Sequence, residues 1–330
     1  MAVLVSGGAG YIGSHMVLEL LDRGEKVVVL DNLSTGFWWA VPPEAVFVQG
    51  DIGNQELIEG LIGEYDITEI AHFAAKIVVP ESVSDPLGYY FNNTVKTRAL
   101  IESAARKGVK HVIFSSTAAV YGEPPVSPVP EEIALNPINP YGRSKLMSEW
   151  MLQDAANAHG FTYIALRYFN VSGADPRGRS GQSSPNATHL IKVASQAALG
   201  QREGLTVFGT DYATPDGTCV RDYIHVTDLA RAHLAALDYL RGGGTSLTLN
   251  CGYGRGYSVK EVVEVVKKVS GVDFPVTLAG RRAGDPASLI ARADRIRAEL
   301  GWRPEHDDLE EIVIQALDWE EKLRIKNASA

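Results

Sequence analysis

Cysteine and long apolar runs are both scarce in this chain of 330 residues. Its two cysteines, Cys219 and Cys251, form neither a metal-binding spacing nor a disulfide framework, which is typical of a reducing compartment. The eight histidines show no pair at metal-ligand spacing, so we expect no metal site. No apolar run reaches the roughly 20 residues of a transmembrane helix. The first residues, MAVLVSGGAG, lack the basic and apolar regions of a signal peptide, so we expect a cytoplasmic protein.

Basic residues are outnumbered by acidic ones, 31 against 40, and the net charge is −9. A chain of this charge is not expected to present the broad basic surface that nucleic acid requires, although a few arginines can still bind one anionic ligand. Hydrophobic residues make up 45% and charged residues 22%, which is ordinary globular composition. We therefore expect a small-molecule partner and neither nucleic acid nor membrane.

Continuous apolar runs alternate with helical stretches through the first half of the chain. The runs are AVLVS, KVVVL, AVFVQ, EIAHFAA, HVIFSS and YIALRYF. Such runs are typical of strands buried on both faces, as in a parallel sheet with crossover helices. One long helix is predicted over residues 87–107 and another over 140–159. The pattern predicts an α/β fold, with a doubly wound parallel sheet over residues 1–170 and a smaller mixed α/β lobe over 171–330. Residues 226–250 are apolar enough to pack back on the first domain.

The segment SGGAGYIGSH places Gly7, Gly10 and Gly13 between the first strand and the first helix. Glycines in this position allow a tight turn and a close approach to a pyrophosphate at the helix N-terminus. Asp31 ends the second strand, where a carboxylate accepts both ribose hydroxyls and repels a 2′-phosphate, which favours NAD over NADP. Asp51 follows the third strand and is placed to meet the adenine, unless it is only a turn residue. Together these residues predict an NAD-binding Rossmann-type domain.

The segment NPYGRSK begins a predicted helix, with Asn139 as a good N-cap and Pro140 as a good first residue. Tyr141 and Lys145 then lie on one helix face. A tyrosine acting as a base at pH 7 needs its pKa lowered by about 3 units, or about 4 kcal/mol. An adjacent ammonium and an oxidised nicotinamide have the right sign of charge. From the spacing alone, an exposed aromatic–cation pair is an equal alternative.

Hydroxyl side chains end the fifth strand, at the sheet edge where such folds bind ligands. These are Ser115, Ser116 and Thr117. A hydroxyl at this edge, beside Tyr141, suits hydrogen bonding to an alcohol or sugar oxygen. The aromatic residues 37–39, which follow the NAD-binding turn, are compatible with a lid, a crystal contact or an interface.

The ordered series GGAGYIGSH, DNLSTG, HFAA, FSSTAAVYG, NPYGRSK, LRYFNVSGADP, VFGTDY, DGTCVRDYIHV and RRAGDPA resembles the extended short-chain dehydrogenase/reductases, and within them the UDP-sugar 4-epimerases. The resemblance covers nearly the whole chain. It implies an isomerase of galactose metabolism that interconverts UDP-galactose and UDP-glucose. In such enzymes tightly bound NAD oxidises the sugar transiently at C4. It also implies a homodimer that pairs the helices near 87–107 and 140–159.

The resemblance also assigns roles to individual residues. Tyr141 would be the base for the sugar 4′-hydroxyl, with Thr117 and Ser116 assisting, and Lys145 would bind the nicotinamide ribose and lower the Tyr141 pKa. The implied cofactor contacts are Gly7, Gly10, Tyr11, Ile12, Gly13, Asp31, Asn32, Asp51, Ile52, Phe73, Ala74, Asn92, Ser115, Tyr141, Lys145 and Phe169. The implied substrate contacts are Thr117, Tyr141, Asn170, His189, Leu190, Phe208, Arg221, Tyr223, Arg282, Asp285 and Leu289.

Arg221 and Arg282 suit a diphosphate, because a guanidinium fork complements phosphate oxygens. A surface ion pair is the alternative for Arg221, and a core position is the alternative for Phe208. Three positions depart from the family pattern. The lysine that contacts the cofactor in some members is Ile77 here, or has shifted to Lys76. His189 stands where many members have asparagine, and Leu289 stands where the family is thought to set whether an N-acetyl group is admitted.

Three other functions are alternatives to an epimerase, and each requires different residues. A nucleotide-sugar 4,6-dehydratase needs an acid pair directly after the strand-end threonine, where this chain has Ala118 and Ala119. A UDP-glucuronate epimerase or decarboxylase needs basic groups for a sugar carboxylate, which nothing in the sequence requires. A non-catalytic NAD-binding protein needs no base, so the intact set of Thr117, Tyr141 and Lys145 argues against it.

Overall fold

The computed structural model describes residues 1–184, 187–282 and 284–328. The strands are β1 Ala2–Ser6, β2 Val27–Asp31, β3 Val46–Gln49, β4 Ile67–His72, β5 His111–Thr117, β6 Thr162–Tyr168, β7 Asn170–Ser172, β8 Leu205–Phe208, β9 Val220–Arg221, β10 Tyr223–His225, β11 Leu247–Cys251, β12 Tyr257–Ser258, β13 Val276–Ala279 and β14 Ser288–Leu289. The helices are α1 Tyr11–Asp22, α2 Gln55–Glu64, α3 Val79–Ser84, α4 Pro86–Tyr89, α5 Lys96–Arg106, α6 Pro140–His159, α7 Leu190–Ala198, α8 Val226–Arg241, α9 Val259–Ser270, α10 Asp294–Leu300 and α11 Leu309–Ala328.

A seven-stranded sheet in the order β11-β6-β5-β4-β1-β2-β3 forms the centre of the fold. All of its strand pairs are parallel. Successive side chains of a strand point to opposite faces, and the core divides accordingly. Val3 and Val5 of β1 pack with residues of α1 and α8, whereas Leu4 packs with residues of α2, α5 and α6. The predicted α/β fold with a doubly wound parallel sheet is confirmed.

The second half of the chain contributes to both parts of the fold. Strand β11 pairs with β6 at the edge of the central sheet, and α8 packs against α1. The remaining strands form small sheets in the orders β10-β7, β12-β9-β14 and β13-β8, and α7, α9 and α11 pack on one another. Among the described residues, no helix combines the length and apolar character that crossing a membrane requires.

A π-helical turn over Tyr90–Val95 interrupts the helix predicted over 87–107, which is therefore not one regular helix. Asn93 lies in this turn and is 2% exposed. Its side chain accepts a hydrogen bond from the Lys76 N–H at 2.8 Å and donates to the Ser144 hydroxyl at 3.1 Å. The turn thus ties the segment after β4 to the helix that carries Tyr141, an arrangement that a hydrophobic periodicity does not reveal. Such turns are common near functional sites.

Candidate active site

The glycine loop lies between β1 and α1, and its glycines are required by close backbone contacts. Gly7 has φ +76°, and a Cβ there would lie 2.6 Å from the backbone nitrogen of Ala74. A Cβ on Gly13 would lie 2.1 Å from the carbonyl oxygen of Gly7. Gly10 is the N-cap residue of α1, and no side chain caps this helix. The helix N-terminus therefore offers backbone N–H groups and its positive dipole end to an anionic group.

Asp31 ends β2 beside this loop and is 8% exposed. Its carboxylate accepts the N–H of Ala9 at 3.0 Å and the N–H of Leu33 at 2.8 Å. Burial raises the pKa of Asp31, and the two N–H groups oppose that rise. A carboxylate has about four acceptor positions, so two remain for ribose hydroxyls. The loop and Asp31 together fit a dinucleotide with an unphosphorylated ribose.

Asn32 follows β2 and Asp51 follows β3, and their side chains are in contact. The Asp51 carboxylate accepts from Lys96 Nζ at 2.5 Å, from the Gly53 N–H at 2.8 Å and from Asn32 Nδ2 at 3.3 Å. Burial would raise the pKa of Asp51, but Lys96 outweighs it and the pKa is lowered. Asp51 is therefore an anion held by Lys96, a partner that the sequence motifs did not indicate. The adjacent Ile52 is 6% exposed and packs in the core.

The segment after β4 faces the glycine loop. The N–H groups of Phe73 and Ala74 both donate to the Ser6 carbonyl, at 2.8 and 3.1 Å. Asn92 donates through Nδ2 to Asn93 Oδ1 at 3.0 Å, so the two asparagines act as a pair. Asn93 was missed by the sequence reasoning, although its position beside Asn92 was the available signal.

Thr117, Tyr141 and Lys145 meet where β5 ends and α6 begins. Asn139 caps α6 by accepting the Gly142 N–H at 2.8 Å, as its position predicted. The Thr117 hydroxyl lies beside the Tyr141 phenol, where it acts to lower the pKa of that phenol. Lys145 is 3% exposed, and its Nζ donates to the Ser115 carbonyl at 2.7 Å. The same Nζ lies 4.9 Å from the centre of the Phe114 ring. A phenol, a hydroxyl and an amine thus converge at the carboxyl edge of the sheet.

Burial is the largest cause of the pKa shifts of Tyr141 and Lys145. It raises the pKa of Tyr141, and the neighbouring Thr117 hydroxyl opposes the rise only in part. It lowers the pKa of Lys145 to about 7, against the attraction of Glu149. Burial is the main cause of the Tyr141 rise, and the expected lowering of the Tyr141 pKa by Lys145 together with an oxidised nicotinamide stays a prediction. A further positive charge is needed before the phenol can act as a base.

Ser116 does not join Thr117 and Tyr141. It is fully buried, and its hydroxyl donates to Glu149. Glu149 forms a buried ion pair with Arg167, with contacts of 3.0 and 2.6 Å. Because its hydroxyl is already bound to Glu149, the expected assisting role of Ser116 at the reacting oxygen stays a prediction from the sequence. The sequence reasoning missed Glu149, although it lies one helical turn after Lys145. Ser115 also bonds inward, to the Tyr168 hydroxyl.

The second half of the chain brings several predicted substrate residues together on the sheet β12-β9-β14. Arg221 in β9 donates to Asp285 at 2.7 Å and is register-paired with Leu289 in β14. Leu289 also packs against the cluster of Ala118, Val120, Tyr121, Val129 and Leu146 that follows Thr117. Arg282 is exposed, and its guanidinium lies 3.9 Å from the centre of the Phe208 ring.

The other predicted residues flank this sheet. Tyr223 in β10 is 2% exposed and register-paired with half-buried Asn170. His189 accepts at Nδ1 from Gln182 Nε2 at 2.7 Å, and burial, with Lys192, lowers its pKa. His189 is therefore neutral at pH 7. Half-buried side chains of Tyr11, Ile12, Phe73, Phe169 and Leu190 pack against the main core. Among the described residues, no group of three or more His, Cys, Asp or Glu side chains is placed to hold a metal ion.

Comparison with known proteins gives one consistent result. Residues 3–252 match the NAD dependent epimerase/dehydratase family. The UDP-glucose 4-epimerase of Azospirillum brasilense is 57% identical over 97% of this chain and 92% of that protein. The crystal structure of UDP-glucose 4-epimerase from Brucella ovis in complex with NAD is 47% identical, with a TM-score of 0.94 and coverage of 96% and 97%. The UDP-Glc/GlcNAc 4-epimerase of Campylobacter jejuni is 51% identical, with a TM-score of 0.85 and coverage of 97% and 99%. This chain belongs to the NAD-dependent epimerase/dehydratase family, as the motif series predicted.

Proposed function

We propose that this protein interconverts UDP-galactose and UDP-glucose reversibly, using tightly bound NAD. The observation that carries the proposal is the placement of the Thr117 hydroxyl beside the Tyr141 phenol at the sheet edge, with Lys145 one helical turn later. The glycine loop and Asp31 on the same sheet edge supply a matching dinucleotide site. Relatives at 57% and 47% identity carry the name of this activity, and the second contains NAD.

NAD, when bound, supplies the oxidant that accepts a hydride from C4 of the sugar and returns it. The N-terminus of α1 would hold its pyrophosphate, and Asp31 would accept the hydroxyls of its adenosine ribose. Gly7, Gly10 and Gly13 keep that surface free of side chains. Lys145 would bind the second ribose, and its bond to the Ser115 carbonyl fixes the position of its Nζ.

Tyr141 accepts the proton of the sugar 4′-hydroxyl and later gives it back. Its buried phenol has a raised pKa and is neutral in the protein alone. The positive charges of Lys145 and of an oxidised nicotinamide both favour the phenolate, so Tyr141 becomes a base only where it is needed. Thr117 bonds to the phenol and to the reacting oxygen, which lets the proton move along a short path.

Arg221 and Arg282 bind the diphosphate. Arg221 is 9% exposed, and its contact with Asp285 fixes the orientation of the guanidinium fork. Arg282 lies over Phe208, so an aromatic face and a cation are presented side by side. This placement explains how a chain of net charge −9 binds an anionic substrate.

The turn after Thr117 selects this reaction over dehydration. Ala118 is buried and Ala119 follows it in a 3-10 turn, so neither position offers a carboxylic acid to protonate a departing hydroxyl. The site therefore offers one base, Tyr141, which takes a proton and returns it.

A second candidate activity, on UDP-N-acetylhexosamines, is favoured by Leu289. This half-buried aliphatic side chain lies on β14 next to Arg221 and against the cluster after Thr117. It carries neither a ring nor a hydroxyl to fill the space for an acetyl group. The Campylobacter jejuni relative at 51% identity is described as acting on both kinds of sugar.

The protein is also proposed to be a cytoplasmic homodimer. The side chains of Phe91 and Trp150 are 58% and 54% exposed, on the π-helical turn before α5 and on α6. Exposed apolar side chains on adjacent elements are typical of a surface that is covered in solution.

The test is incubation of the purified protein with UDP-galactose, UDP-glucose and their N-acetyl counterparts, followed by product identification by NMR. The proposal expects C4 epimers of the first two without added reductant. Formation of a 4-keto-6-deoxy sugar, or no conversion of UDP-galactose by protein that contains NAD, would refute it.

A further inference from the structure

We propose that Phe37, Trp39 and Trp319 form an aromatic latch that holds NAD in its site. The proposal rests on NAD being the cofactor, as in the proposed function. The latch residues do not touch the reacting atoms. They are positioning residues that join two segments flanking the glycine loop, so their effect falls on cofactor release rather than on chemistry.

The first flanking segment covers residues 35–40 and is fixed to the glycine loop. The N–H of Phe37 donates to the Ala9 carbonyl at 2.9 Å. A Cβ on Gly36 would lie 2.9 Å from the same carbonyl, so this segment packs directly on the loop. Ala9 in turn donates its N–H to Asp31, the residue assigned to the ribose. The segment is thus continuous with the dinucleotide site.

The second flanking segment covers residues 180–184. The Ser180 hydroxyl is hydrogen-bonded to the Ser14 hydroxyl of α1 at 2.7 Å. Trp319 of α11 donates from Nε1 to the Ser183 hydroxyl at 3.2 Å. A Cβ on Gly181 would lie 2.3 Å from the Trp319 ring, so only glycine lets the segment lie flat on the indole.

The aromatic latch connects the two segments. The rings of Phe37 and Trp39 lie 5.0 Å apart, and those of Trp39 and Trp319 lie 6.3 Å apart. Trp319 is 8% exposed, and its helix is anchored by a buried ion pair between Glu320 and Lys192 at 2.5 Å. Both sides of the latch are therefore held in place, α11 by this ion pair and the segment 35–40 by its contacts with the glycine loop.

One cleft runs between the two segments and the glycine loop. Its lining includes Gly10, Thr35, Phe37, Ser180 and Ser184. A dinucleotide on the glycine loop would be flanked by both segments, so its release is expected to be faster when they part. Parting breaks the contact between Trp39 and Trp319, which gives the latch a direct effect on the rate of release.

The test compares Trp39→Ala with Trp38→Ala in the NAD-loaded protein. Trp38 is the adjacent residue of the same type, is 69% exposed and has no part in the ring series, so it is a matched control. Release is followed by loading with NADH, mixing with excess NAD and recording the loss of energy transfer from tryptophan to the dihydronicotinamide. We expect release about fivefold faster in Trp39→Ala, the ratio that corresponds to one lost aromatic contact. We expect the wild-type rate in Trp38→Ala.

Turnover at saturating NAD separates this proposal from the proposed function. Unchanged kcat in Trp39→Ala, with faster release, supports the latch. Wild-type release in Trp39→Ala, or equal acceleration in Trp38→Ala, overturns it even if the wild type is a fully active epimerase. Trp319→Phe is the second variant, because it keeps a ring and loses the bond to Ser183. The latch expects release in Trp319→Phe between the rates of wild type and Trp39→Ala, and a wild-type rate in both variants overturns it.

Discussion

Replacing Glu149 with alanine removes the partner of a charge that the fold has taken out of water. Arg167 is 5% exposed and Glu149 is 6% exposed, and both guanidinium contacts to the carboxylate are short, at 3.0 and 2.6 Å. The carboxylate also accepts the Ser116 hydroxyl, next to Thr117. Glu149→Ala therefore leaves the buried Arg167 without its carboxylate, with only the Tyr121 hydroxyl and the Glu131 carbonyl as acceptors, and it leaves the Ser116 hydroxyl without its acceptor.

The expected cost follows from this burial. Breaking a buried ion pair by removing one partner costs about 3–5 kcal/mol, because the remaining charge stays desolvated. A surface pair of the same geometry is available for comparison: Arg23 contacts Asp238 at 2.9 and 2.9 Å, with side-chain exposures of 39% and 47%. Exposed pairs contribute about 0.2–1 kcal/mol. Asp238→Ala is therefore expected to cost at most about 1 kcal/mol.

Urea denaturation of the NAD-loaded proteins at one fixed NAD concentration measures both changes. We expect the midpoint of Glu149→Ala to fall well below that of Asp238→Ala, with similar slopes for the two. Equal destabilisation of the two variants would refute the argument that burial, rather than bond geometry, sets the importance of the Arg167 contact.

Three further outcomes follow from the site. Tyr141→Phe should lower kcat by about 100-fold or more, the usual effect of losing an acid–base group, while the NAD content measured by chromatography stays unchanged. Glu149→Gln should move the high-pH limb of the kcat profile to lower pH. Burial lowers the pKa of Lys145 to about 7, and the charge of Glu149 opposes that lowering. Without this charge the pKa of Lys145 falls further, so the ammonium is lost at a lower pH. Arg221→Ala should raise KM for UDP-galactose far more than it lowers kcat, whereas Arg23→Ala, at a surface ion pair, should change neither.

The central sheet could be predicted because its strands are buried on both faces. Such strands need apolar residues at every position, and runs such as AVLVS show this directly. The glycine loop could be predicted for a similar reason, since the contacts at Gly7 and Gly13 leave no room for another residue.

Contacts between distant residues could not be predicted in this way. The bond from Ser116 to Glu149 joins a strand to a helix, and neither residue belongs to a periodic pattern. The π-helical turn depends on Asn93 bonding to Lys76 and Ser144, which are remote in sequence. The direction of the Tyr141 pKa could not be predicted from the sequence either, because spacing showed a nearby amine but not the burial that raises this pKa.

Arg221 is a residue whose role depends on both its sequence context and its contacts in the structure. Sequence left a surface ion pair and a phosphate ligand as alternatives for this residue. The structure shows a contact to Asp285, yet Arg221 is only 9% exposed and lies in register with Leu289. A contact to Asp285 that uses one Nη2 donor leaves other N–H groups of the guanidinium to bind phosphate oxygens.

The central claim is that the hydrogen at C4 leaves the sugar as a hydride and returns to the same carbon. UDP-galactose deuterated at C4 tests it most directly, with the purified NAD-loaded protein and no added oxidant or reductant. The account predicts UDP-glucose that retains deuterium at C4, detected by NMR and mass spectrometry. Loss of the deuterium to water would contradict it, because that result requires C4 to be inverted by proton exchange and not by transient oxidation.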